Sequence, residues 1–143
     1  MQGSKLTAKD IARYGLMLAL ALVLSWVETL IPFAFPLPGM KIGLANIVIV
    51  TMLYAAGPKR AALISFLRLL LVMITFGNAS AFLYSLAGAV LSFAVMCLLK
   101  KTDRFGVTGV SIAGALAHNV GQILVAALVL ETVTIGSVIV LRK

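Results

Sequence analysis

The sequence predicts an all-α integral membrane protein, a bundle of five full transmembrane helices followed by a short sixth. Three observations carry this expectation. Of 143 residues, 62% are hydrophobic and 11% charged, with a mean hydropathy of +1.15; a water-soluble domain of this size has no use for so much apolar surface. The apolar residues come in runs that approach the roughly 20 residues needed to cross a bilayer core. The basic residues, 12 Lys and Arg against 4 Asp and Glu, cluster in the breaks between those runs.

The first span is expected at 11–31 and ends in Pro32-Phe33-Ala34-Phe35-Pro36-Leu37-Pro38-Gly39, where the prolines forbid continued helix. A second span at 42–56 is stopped by Gly57-Pro58-Lys59-Arg60, and a third at 61–76 by Gly77-Asn78. Both are short for a full crossing, which small tilt, extension into the loops or shielding by neighbours would accommodate. A fourth at 79–99 precedes Lys100-Lys101-Thr102-Asp103-Arg104, and a fifth covers 105–130. The remaining stretch, 132–141, gives a sixth segment of ten residues, about 15 Å of helix and half the hydrocarbon core. The chain forms one domain, without linker or internal repeat.

Charge then sets the orientation. With the N-terminus inside and six segments crossing, Lys5, Lys9, Arg13, Lys59, Arg60, Lys100, Lys101, Arg104, Arg142 and Lys143 all fall on the cytoplasmic side, ten of the twelve basic residues. Lys41 alone lies outside and Arg68 alone within a span, so the opposite orientation violates the positive-inside rule at nearly every loop. The expected location is therefore the cell membrane, multi-pass, with a cytoplasmic N-terminus. A cleaved signal peptide is the competing reading of the first span, but the chain continues apolar with no polar mature domain. The net charge of +8 does not point to nucleic acid, which requires a basic face presented in water.

Function is expected from polar groups that the membrane makes costly. Glu28 lies near the outer end of the first span, Asn46 in the outer half of the second, Arg68 in the middle of the third, and His118, Asn119 and Gln122 along the fifth. The spacing of the last three brings them toward one side of their helix within about a turn. Together these six residues are the candidate substrate-binding set. Two other readings stay open: the amides act as interhelical glue, and Arg68 and Glu28 form an ion pair with each other.

Catalysis by this chain is not expected. A single His118 and a single Cys97 at the opposite end of the fourth span offer no metal site. Asp10, Glu28, Asp103 and Glu131 are too scattered for an aspartate-rich diphosphate–magnesium motif. No nucleophile motif and no cofactor is indicated, and the lone cysteine forms no internal disulfide. A stripe of small residues, Ala8, Ala12, Gly15 and Ala19, runs along the cytoplasmic half of the first helix and allows close approach of another helix, either within the bundle or from a partner.

Three motifs in order carry a resemblance: Pro38-Gly39-Met40-Lys41-Ile42-Gly43-Leu44-Ala45-Asn46, then Phe66-Leu67-Arg68, then Gly114 to Ala126 with His118-Asn119-Val120-Gly121-Gln122. Over about residues 8–131 the chain resembles the small membrane proteins known as heptaprenyl diphosphate synthase component I, or the Gx transporter family. That family is in turn similar to the S components of energy-coupling-factor (ECF) transporters. The resemblance implies an S-component-like bundle of six helices that captures a small molecule, such as a vitamin or a quinone or prenyl precursor, from outside. Energy would come from a transmembrane coupling protein and ATPase subunits, with the small-residue stripe facing the coupling protein and the 32–41 loop closing over the pocket. The family's enzyme label implies instead a non-catalytic membrane component of a prenyl synthase in menaquinone side-chain biosynthesis. The short sixth segment departs from the six-helix pattern; truncation, a re-entrant end or completion by a partner would each account for it. A purely structural membrane subunit without ligand is the third reading.

Overall fold

A computed structural model describes residues 5–31 and 42–141. Among them are five helices: α1 (Ala8–Leu30), α2 (Leu44–Ala55), α3 (Pro58–Thr75), α4 (Ala79–Thr102) and α5 (Val107–Leu141). The helix starts follow from local chemistry. Thr7 and Asp10 form a reciprocal capping box, in which Thr7 Oγ1 accepts from the Asp10 amide at 3.2 Å and the Asp10 carboxylate accepts from the Thr7 amide at 3.1 Å. Pro58 occupies the first turn of α3, where its missing N–H costs nothing, so Lys59 and Arg60 belong to the helix and not to the stop before it. Asn78 caps α4 by accepting from the Ala81 amide at 2.8 Å.

The expected sixth segment is corrected: no break separates 130 from 132, and α5 runs unbroken for 35 residues, about 52 Å. The hydroxyls beyond residue 130 are absorbed by the helix itself. Thr132 Oγ1 donates to Leu128 O at 2.8 Å, Thr134 Oγ1 to Leu130 O at 2.9 Å and Ser137 Oγ to Thr134 O at 2.8 Å, so none presents an unpaired hydroxyl to lipid. Of the five full spans expected, three have a helix of full length among the described residues. Helices α1, α4 and α5 are long and apolar enough to cross a membrane. The 12 residues of α2 reach only about 18 Å, well short of a hydrocarbon core of about 30 Å.

Successive helices alternate in direction. The packed pairs α1–α2, α2–α5, α5–α4, α4–α3 and α3–α1 form a closed ring, with α2 and α3 also touching across it. The ring has two unlike halves. At the base, next to the α2–α3 and α4–α5 turns, Ile49, Leu53, Ala61, Ile64, Met96 and Val110 are buried in one apolar cluster, flanked by Tyr14, Met17 and Phe93. Arg60 donates to Tyr14 Oη and stacks on the same ring, while Lys100 donates to Leu53 O at 2.6 Å and lies over Tyr54. These cations finish the apolar cluster at its wet end, burying their stems and leaving their charge where water reaches.

Candidate functional site

The other half of the ring has a polar interior. Helix α2 begins at Leu44, directly after Gly43. Gly43 itself has φ +89° and supplies no side-chain cap, a backbone conformation that favours glycine. A carboxylate from another helix takes the capping role. Glu28, in the last turns of α1, accepts through Oε1 from the amides of Gly43 at 2.5 Å and Leu44 at 2.7 Å, matching negative charge to the positive end of the α2 dipole.

Arg68 reaches the interior from the middle of α3 and is 7% exposed. Its Nη1 donates to Ser25 Oγ at 3.2 Å, and its Nε has no hydrogen-bond partner. Ser25 is fully buried, and its own hydroxyl proton goes to Ala21 O at 2.8 Å, so it can only accept from the guanidinium. Ser25 and Glu28 lie three apart on α1 and therefore share a face. The direct Arg68–Glu28 ion pair considered from the sequence does not form: each charge bonds a different group, and they attract one another only across the gap between them.

The opposite wall is the α4–α5 crossing, which glycines bring to backbone contact. A Cβ at Gly88 would lie 2.6 Å from His118 O and 3.1 Å from Gln122 Cγ, and one at Gly121 would lie 2.8 Å from Gly88 Cα. His118 and Gln122 thus lie together against α4, where Ser85 is also buried. Gln122 is 8% exposed and its Oε1 has no hydrogen-bond partner; Asn119, half-buried on the same stretch of α5, has an unpartnered Oδ1. Asn46 has a different role. Its amide nitrogen lies 3.5 Å from Ser111 O and 3.7 Å from Met96 Sδ, and its Oδ1 accepts from Ser92 Oγ at 3.4 Å, so it links α2 to α4 and α5 below the polar half.

The structure brings the predicted residues together in two groups: Glu28 and Arg68 on either side of Ser25, which sequence reading missed, and His118 with Gln122 against Gly88 of α4. The available signal for Ser25 was its spacing from Ala21 and Glu28 on one helical face. The interior thus holds a guanidinium with an unused N–H on α3 and two amide oxygens with unused lone pairs on α5, groups that would meet a polar solute and not a hydrocarbon. No group of three or more His, Cys, Asp or Glu side chains that could hold a metal ion occurs among the described residues. The Pro38–Lys41 part of the first motif and the expected lid at 32–41 lie outside the described residues, as do Arg142 and Lys143.

The small-residue stripe faces outward. Ala8, Ala12, Gly15 and Ala19 are all exposed, and nothing lies within 4 Å of a Cβ built on Gly15. Within the described bundle, then, the stripe packs against nothing.

A family model described as heptaprenyl diphosphate synthase component I matches residues 17–141. No curated protein and no solved structure matches the chain.

Proposed function

The chain belongs to the heptaprenyl diphosphate synthase component I family, and from that premise we propose that it is a non-catalytic, membrane-embedded subunit that holds a small molecule in the polar half of its helix ring. The observation that carries this reading is the set of buried polar atoms without partners, Arg68 Nε, Asn119 Oδ1 and Gln122 Oε1. Such atoms are costly to leave unmet in a membrane interior, and a bound solute would satisfy them. In the manner of an ECF S component, the subunit takes its ligand from outside and depends on a coupling protein and ATPases. The N-terminus is cytoplasmic, which places the basic base of the bundle inside and the polar half toward the outer face. The exposed stripe of Ala8, Ala12, Gly15 and Ala19 is the surface offered to the coupling protein.

The family description favours a second reading, in which the chain is the membrane component of a heptaprenyl diphosphate synthase and presents a prenyl or quinone intermediate to a soluble catalytic partner. Affinity purification of the detergent-solubilised protein from its native membrane, with mass spectrometry of co-purifying proteins and small molecules, separates the two. A coupling protein and ATPases together with a bound metabolite are expected. Recovery of a soluble prenyl synthase in their place would transfer the assignment to the second reading.

A further inference from the structure

We propose that Arg68 is an anion-recognition residue and that the ligand presents a carboxylate or phosphate to it; this rests on the ligand-binding reading above and names its chemistry. Arg68 lies ten residues beyond Pro58, about 15 Å along α3, at a depth where an unpaired cation is strongly disfavoured. The groups around it do not meet its demand. A guanidinium offers five N–H donors in a planar fork. Ser25 Oγ takes one of them, and Nε is buried without a partner. Ser25 is neutral, and Glu28 is engaged by the Gly43 and Leu44 amides. The remaining acidic residue of α5, Glu131, is exposed on the far part of that helix.

A planar fork with an unused edge is the geometry that binds an oxyanion through two parallel hydrogen bonds. Ser25 positions the fork by holding Nη1, which leaves the Nε side for the ligand. The anion belongs to a solute entering from water and not to a lipid headgroup, because headgroups lie at the bilayer surface and Arg68 is buried within the bundle, midway along α3.

The test uses the purified full-length protein in neutral detergent. Its thermal unfolding midpoint is followed during titration with inorganic phosphate or with acetate, against chloride at the same ionic strength. The wild type is expected to show a saturable upward shift with at least one of these anions. Arg68→Gln is expected to abolish that shift, and Arg68→Lys, which keeps the charge but loses the fork, to weaken apparent affinity several-fold. If Arg68→Gln does not fold, Ser25→Ala provides the readout, again with several-fold weaker affinity. Equal shifts in wild type and variants, or no shift in the wild type, would overturn the proposal. A shift produced only by phosphatidylglycerol doped into the micelle would overturn it too, in favour of a headgroup. A neutral metabolite recovered from the wild type, with no response to either anion, would leave the binding reading standing and remove this one.

Discussion

Glu28 Oε1 lies 2.5 Å from the amide nitrogen of Gly43, so a carboxylate on α1 terminates α2 from outside that helix. The contact ties the last turns of α1 to the first turn of α2 and puts a negative charge at the positive end of the α2 dipole.

Removing that cap has a calculable cost. Glu28→Ala is expected to lower stability by about 1–2 kcal/mol, the range of a lost helix cap, with a further loss in ligand retention because the floor of the site loosens. Glu28→Gln, which keeps an acceptor oxygen, is expected to cost less. Unfolding in mixed micelles with increasing denaturing detergent measures both.

The glycine crossing gives a sharper contrast. Gly88→Ala drives a methyl to within 2.6 Å of the His118 carbonyl, so α4 and α5 must part, at about 1–3 kcal/mol. Gly15→Ala meets nothing within 4 Å and is expected to leave stability unchanged. A larger residue at the same place, Gly15→Leu, is expected to leave the protein folded while reducing recovery of the coupling protein proposed above by co-purification.

Much of this was legible in the sequence, for reasons that individual residues make clear. Asn78 acts within its own turn, so the start of α4 at 79 is readable, whereas Gly57-Pro58 reads as a stop and places the start of α3 at 61, three residues late, because Pro58 opens the helix. The Glu28 cap and the Ser25–Arg68 contact join residues 15 and 43 positions apart, and only the ring arrangement reveals them. The unbroken α5 is missed because a span of ordinary length ends at 130, leaving 132–141, with its Thr and Ser hydroxyls, as a separate ten-residue segment. Each of these hydroxyls bonds a preceding carbonyl, and the helix continues.

Arg68 makes stability and binding pull in opposite directions. An under-bonded buried cation is kept at a cost in stability, so Arg68→Met, of similar reach and no charge, is expected to match or exceed the wild type in unfolding midpoint. The same variant is expected to retain at most a tenth of the bound ligand. A large drop in midpoint would assign Arg68 to structure alone.

Orientation is open to labelling. In a Cys97→Ser background, Asn78→Cys, at the N-terminus of α4, is expected to react with a membrane-impermeant maleimide added to intact cells. Lys59→Cys, at the base beside Arg60, is expected to react only after permeabilisation. The reverse pattern would invert the positive-inside assignment.

The central claim is that the polar half of the ring holds a small molecule. The most direct measurement denatures the protein purified from native membranes and quantifies the released metabolites by mass spectrometry, for wild type, Arg68→Met and Gln122→Leu in parallel. The account predicts one polar metabolite in near-stoichiometric amount with the wild type and its loss from both variants. An empty wild type, or equal retention in all three, would contradict it.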